Sequence, residues 1–132
     1  MRKILLLFTA LLLSAVAIAY DFKVDGLCYS ILDEYSVEVT PEAGFNNNYP
    51  DLVKAVIPNY VEYDNVQYRV LGLGENAFNC AKNLESIEFP SREGYEFYIK
   101  SFAAANCPKL KNVDVVGVSE IGDVAFAGAI SV

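Results

Sequence analysis

The chain has 132 residues, and 17 acidic against 10 basic side chains give it a formal charge of −7 at pH 7. That balance argues against nucleic acid, anionic lipid and phosphate-rich partners, which such a surface repels. Histidine is absent altogether, which removes the commonest general base and metal ligand and every nucleophile triad built on an imidazole.

Residues 1–19 read as a secretory signal peptide. Arg2 and Lys3 precede an uncharged run from Ile4 to Ala19, and Ala17-Ile18-Ala19 places small residues where a signal peptidase cuts. The run is short for a bilayer span, which takes about 20 residues. No cysteine adjoins the cleavage point, so a lipid tether is not expected. The expectation is an exported chain, secreted or held at the cell surface or in the periplasm, with no membrane insertion after the leader is removed. Losing Arg2 and Lys3 makes the remainder more acidic still, which favours solubility.

Residues 20–69 read as a β-rich cap. Phe22-Lys23-Val24 and Leu27 to Leu32 flank Asp25-Gly26, a strong type I′ hairpin signal. Tyr35, Val37 and Val39 alternate with polar residues, the period of a half-buried strand. Pro41 to Pro50 holds Gly44 and the run Asn46-Asn47-Asn48, a loop and the segment expected to be most mobile. Leu52 to Ile57 is a strand stopped by Pro58, and Tyr60 to Tyr63 with Val66 to Val70 form a second hairpin across Asp64-Asn65. Tyr63 and Tyr68 are expected to pack over the end of whatever follows.

Residues 70–132 repeat. Val70 to Pro90 reads VLGLGENAFNCAKNLESIEFP, fitting neither a long helix nor a plain strand. Ala77 and Phe78 sit on a short helical turn, Leu84 follows, and Ile87 and Phe89 alternate like a strand. Cys107 to Val115 copies the second half, with Leu110, Val113 and Val115 standing for Leu84, Ile87 and Phe89. Ile121-Gly122-Asp123-Val124-Ala125-Phe126 copies Leu73 to Phe78, and Val132 stands where Leu84 does. In the middle copy Ala103-Ala104 replaces the Ala-Phe pair. Leu84 and Leu110 are 26 residues apart, and Leu110 and Val132 are 22 apart, inside the roughly 20 to 29 of leucine-rich repeats. A unit this short cannot bury its apolar face alone, so copies must stack.

The pattern Ile-Gly-x-x-Ala-Phe, then a small position, then Leu-x-x-Ile-x-Phe-Pro resembles the BspA-like leucine-rich repeats of bacterial cell-surface proteins, clearly over Leu73 to Val132 and more loosely over Val53-Ile57-Pro58. The resemblance implies a β-rich solenoid with short helical turns, about two and a half repeats behind the N-terminal β-hairpin cap, and a role in adhesion or protein binding. Its implied partners are extracellular matrix or other cell-surface proteins.

Gly72-Leu73-Gly74-Glu75-Asn76-Ala77 also matches G-x-G-x-x-A, the dinucleotide fingerprint. The helix it opens would be too short for a βαβ crossover, and Gly74 recurs as Gly122 in a copy lacking the first glycine. A tight repeat turn explains it better, and no cofactor is expected. Cys28, Cys80 and Cys107 are an odd set. Cys107 occupies the small repeat position held elsewhere by Ala81 and Ala129. A Cys80–Cys107 bridge would require Cα atoms within about 7 Å. Asp21, Asp25, Asp33 and Glu34 offer only a diffuse set of oxygens for calcium. Glu85 with Glu88 and Asp33 with Glu34 read as solvated charge.

No catalytic or metal-binding constellation emerges, so an enzyme is not expected. With Leu84, Ile87 and Phe89 pointing inward, Ser86 and Glu88 face out, and Asn112 and Asp114 are their equivalents one repeat on. These four are candidate contacts for a protein partner on one exposed β face. The insertion Ser91 to Tyr98 adds Tyr95 and Phe97 as candidates, since inserted loops often lie at binding faces and aromatics are favoured hot spots; the competing role for Phe97 and Tyr98 is to close the core beneath that loop. The alternative to a binding module is a structural capping piece, or residual fragment, of a longer repeat protein. Because the last copy, with Ala125, Phe126, Ala129 and Val132, lacks a strand, weak self-association through the C-terminal repeat is expected.

Overall fold

The computed structural model describes residues 20–44, 46–89, 96–113 and 118–129. The leader expectation over residues 1–19 therefore lies outside the described residues. Both sequence-predicted hairpins form. β1 (Phe22–Val24) pairs antiparallel with β2 (Leu27–Asp33), with Asp25 at φ 50° and Gly26 at φ 83°, the left-handed pair a type I′ turn requires. β2 then pairs with β3 (Ser36–Thr40). β4 is Lys54–Val56, and β5 (Tyr60–Tyr63) pairs with β6 (Val66–Leu73) across Asp64 (φ 52°) and Asn65 (φ 64°). Short strands follow: β7 (Ser86–Glu88), β8 (Tyr98–Ile99), β9 (Asn112–Val113) and β10 (Glu120–Ile121).

These strands make two sheets. The larger runs β1-β2-β3-β6-β8-β10 with β5 beside β6; the smaller runs β4-β7-β9. β3, β6, β8 and β10 pair in parallel, and so do β4, β7 and β9. The register keeps the repeat spacing. Gly72 lies opposite Tyr98 and Ser86 opposite Asn112, while Tyr98 lies opposite Glu120. The first two pairs, one in each sheet, share an offset of 26 residues and the third has 22, the two spacings of the sequence repeat, so successive copies pair unit upon unit.

Between the sheets each unit turns, and the short helical turn expected there is not observed. Among the described residues no helix forms. Asn76 (φ 62°) and Cys80 (φ 64°) are left-handed, as are their equivalents Phe102 (φ 58°) and Asn106 (φ 55°), then Val124 (φ 51°) and Gly128 (φ 78°). A left-handed residue every fourth position breaks a helix into successive tight turns. The N–H groups of Ala77, Asn79 and Ala81 close those turns on Gly74, Asn76 and Phe78. The alternate N–H groups point along the stack: Phe78 to Ala103 O at 2.6 Å, Cys80 to Ala105 O at 3.0 Å, Ala104 to Ala125 O at 2.8 Å and Asn106 to Ala127 O at 2.7 Å. The turns form a hydrogen-bonded ladder, which satisfies backbone groups a helix would have satisfied internally.

The loop expected to be most mobile caps this ladder. Asn48 is 2% exposed. Its side-chain amide donates to Ala77 O (3.2 Å) and Asn79 O (2.9 Å), and its oxygen accepts from the N–H groups of Glu42 (2.8 Å) and Ala43 (3.3 Å). One asparagine side chain stands where a preceding turn would donate. Beside it the Tyr49 hydroxyl donates to Thr40 O and accepts from Cys28 N, and its ring packs on Phe78.

The core runs between the sheets through Val37, Val39, Leu73, Phe78, Leu84, Ile87, Ile99 and Leu110, all fully buried. Tyr68 joins it, whereas Tyr63 is half exposed and stacks on Phe22 with ring centroids 4.3 Å apart. Tyr35, expected in the half-buried alternation, is 69% exposed because it precedes β3, at the turn from β2. Gly74 is needed for a different reason from the one expected. It has no positive φ; a Cβ there would collide with the Glu38 side chain and come within 2.9 Å of Val39 O, and at Gly122 one would meet Ser101 N at 2.6 Å. Close approach of neighbouring units, not the turn, demands these glycines.

Candidate functional site

Within Leu84 to Phe89, Leu84, Ile87 and Phe89 are buried, Ser86 is half-buried and Glu88 is exposed. The period of a strand thus sends alternate residues inward and outward as expected. Parallel pairing aligns Lys54, Ser86 and Asn112 in one row and sets Val56 beside Glu88 in the next. The face they form lines a shallow depression of about 700 Å³ with Ile87, Phe89, Lys111 and Val113. Ser86, Glu88 and Asn112 are therefore brought together. Asp114 and Tyr95 lie outside the described residues.

Phe97 is corrected. It is fully buried, 4.8 Å from the Phe89 ring centroid, and its carbonyl accepts from Ser119 N at 2.7 Å. An apolar ring following an inserted loop gains more from the core than from solvent. Its ring closes the core beside Phe89 and is not on the exposed face.

Two face residues escaped the sequence reading, Lys54 and Lys111, and each pairs with a carboxylate that was read only as solvated charge or as a lone outward residue. Lys54 Nζ lies 3.1 Å from Glu88 Oε1, and Lys111 Nζ lies 3.1 Å from Glu85 Oε1. Each pair bridges adjacent units, so the signal is available only after alignment across strands. Aligning Val53-Lys54-Ala55-Val56-Ile57-Pro58 on Glu85-Ser86-Ile87-Glu88-Phe89-Pro90 would have found Lys54. These exposed pairs add little stability. They fix the pattern of charge that the face shows to solvent.

A second polar cluster lies on the larger sheet. The Tyr98 hydroxyl donates to Glu38 Oε1 at 2.7 Å, and Lys100 Nζ donates to the same oxygen at 3.0 Å while sitting over the Tyr98 ring. Burial first, then the hydrogen bond to Glu38, holds the Tyr98 hydroxyl well above its ordinary pKa. Gly72 makes room for that ring, since a Cβ there would meet it at 2.6 Å or less. The cluster staples β3 to β8. All three cysteines are free, Cys28 and Cys107 buried and Cys80 partly so. Among the described residues no group of three or more His, Cys, Asp or Glu side chains is placed to hold a metal ion.

Units at leucine-rich-repeat spacing, each giving one strand to a parallel sheet over a core of Leu84, Leu110 and Ile87, make an arrangement of the leucine-rich-repeat type. The chain is similar to a leucine-rich repeat protein from Bacteroides ovatus ATCC 8483 of known crystal structure, with 27% sequence identity and a TM-score of 0.62. The likeness covers 83% of this chain and 33% of that one, so the chain spans about a third of its neighbour's length. No family model matches the sequence, and a search of curated proteins finds no match.

Proposed function

We propose that this chain is a secreted, non-enzymatic protein-binding module, a BspA-like leucine-rich-repeat solenoid whose β4-β7-β9 face meets an extracellular or cell-surface protein. The observation that supports it most is the register of that sheet, which sets Lys54, Ser86 and Asn112 in one row beside Glu88 on an open face. Regular rows of small and charged side chains suit a flat protein epitope better than a small substrate, which needs a concave, mostly apolar pocket. The test is biolayer interferometry of the leaderless chain against immobilised extracellular-matrix and cell-surface proteins, with the paired substitution Ser86→Arg and Asn112→Arg as the face variant. Saturable binding that the variant weakens by about tenfold, or about 1.4 kcal/mol, supports the proposal. Binding to no protein on the panel, or equal binding by the variant, refutes it.

Export rests on Arg2, Lys3 and Ala17-Ile18-Ala19. Mass spectrometry of the exported protein should find Tyr20 as the first residue; retention of Met1 would sink the leader assignment. Weak self-association through the C-terminal repeat keeps Phe126 and Ala129, both partly buried, and adds the half-exposed Ile121 and Val124 beside them; Ala125 is buried, and Val132 lies outside the described residues. Sedimentation should show the association increasing with salt, as screening relieves acidic repulsion; a strictly monomeric chain at all salt concentrations removes it.

A second reading is favoured by the coverage of the neighbour, of which this chain matches 33%. In it the chain is a capping piece of a longer repeat protein without binding activity of its own. Further repeats continuing in frame in the downstream DNA would favour that reading.

A further inference from the structure

β4 has a second edge. Its strand partner among the described residues is β7, and the bonds to it come from alternate residues: Glu85 N donates to Val53 O at 2.7 Å, and Ile57 N donates to Glu88 O at 2.8 Å. In a strand, backbone groups alternate sides, so the peptide groups of Val53, Ala55 and Ile57 serve β7. Those of Lys54 and Val56 face the opposite side. That side opens on a groove of about 540 Å³ whose apolar lining includes Tyr29, Leu52, Pro58 and Val61. Val56 beside it is 53% exposed. Asp25 and Glu62 also line the groove; Lys54, the one cation among the described residues that line it, is paired with Glu88 at 3.1 Å.

From this we infer that the β4 edge receives an extended, basic peptide segment of a partner protein as a fourth strand of the smaller sheet. Main-chain bonds to Lys54 and Val56 supply the pairing, apolar residues of the segment enter the groove, and its lysines or arginines answer Asp25 and Glu62. Charge chooses this occupant over a second copy of the chain, which carries the same carboxylates and a formal charge of −7. The edge shares Lys54 with the exposed face of the preceding proposal but binds through the backbone of β4 and not through side chains on that face, so either can fail without the other.

The probe is a fluorescein-labelled hexapeptide of alternating lysine and valine, followed by fluorescence anisotropy, with amide hydrogen exchange read by NMR. Three further reagents complete the design: a glutamate–valine hexapeptide, a backbone N-methylated lysine–valine hexapeptide, and the Val56→Pro variant. Proline is tolerated on an edge strand and removes the outward N–H of Val56. The expected result is saturable binding of the lysine–valine peptide that slows exchange at Lys54 and Val56. Glutamate–valine, N-methylation and Val56→Pro should each weaken it about tenfold or more. Asn112→Arg, on the exposed face, should leave it unchanged. Absence of binding, or binding indifferent to N-methylation and without protection at Lys54 and Val56, overturns the inference even if Val56→Pro fails to fold. Loss of binding on Asn112→Arg alone would place the peptide on the face and overturn it as well.

Discussion

Replacing Asn48 by alanine should remove the cap from the turn ladder. The side chain is buried and makes four hydrogen bonds, two of them at 2.8 and 2.9 Å and two at 3.2 and 3.3 Å. Alanine strands Ala77 O and Asn79 O on one side and the N–H groups of Glu42 and Ala43 on the other. A buried polar group left unmatched costs about 1 to 3 kcal/mol. Counting the two short bonds fully and the two long ones at little gives a loss of about 3 to 4 kcal/mol. That is a large fraction of the roughly 5 to 15 kcal/mol that holds a domain folded. Asn48→Asp separates the donor role from the acceptor role: it still accepts from Glu42 and Ala43 but sets a carboxylate against two carbonyls, so at neutral pH it should cost at least as much as alanine. Urea unfolding of the three proteins, compared at equal m-value, measures this. An alanine variant within about 0.5 kcal/mol of wild type, the scatter of ordinary surface substitutions, would refute the capping role, and so would an aspartate variant as stable as wild type.

Four other outcomes follow from the same structure. Phe78→Ala empties a fully buried site and should cost about 3 to 5 kcal/mol; an unchanged urea midpoint would mean the repeat register is wrong. Val124 holds φ 51° while 51% exposed, so Val124→Asn should relieve backbone strain and stabilise by about 1 kcal/mol, and a lowered midpoint would contradict this. In the native protein Cys80 should react with iodoacetamide well before the buried Cys28 and Cys107; peptide mapping that finds Cys107 modified first would refute it. Burial holds the Cys107 thiol up, to about 11 from an ordinary 9.0. The folded chain therefore keeps a proton that the unfolded chain loses, and this stability is full below about pH 9 and lost as pH rises through 11. Relative to Cys107→Ala, whose residue is already used at Ala81, the wild type should lose about 2 to 3 kcal/mol over that window. The difference is taken against the variant because the buried Tyr29 and Tyr49 and the half-buried Tyr98, also shifted upward, add their own slope to both proteins. A constant difference between the two from pH 8 to 11 would exclude the thiol as its source.

What the sequence determined by itself was local or periodic. Asp25-Gly26 and Asp64-Asn65 specify left-handed turn pairs through their own backbone preferences, so both hairpins were legible without any partner. The spacing of Leu84 and Leu110 showed the repeat, and alternation around Ile87 identified Ser86, Glu88 and Asn112 as outward-facing, because side-chain period is a property of the strand alone. Tertiary structure decided what depends on the neighbouring unit. Left-handed Cys80, Phe102 and Val124 defy residue preference and stand within a ladder bonded from unit to unit, and that is why a helical turn was expected where none forms. Gly74 and Gly122 carry no unusual φ; the backbone they must approach is supplied by residues far away in sequence. Asn48 looked like loop composition until its side chain met Ala77 O and Asn79 O. Phe97 read as either a partner contact or a core ring until its burial beside Phe89 decided for the core. The second edge of β4 belongs to the same class: a three-residue strand shows which of its peptide groups have no strand partner among the described residues only when β7 has taken the others.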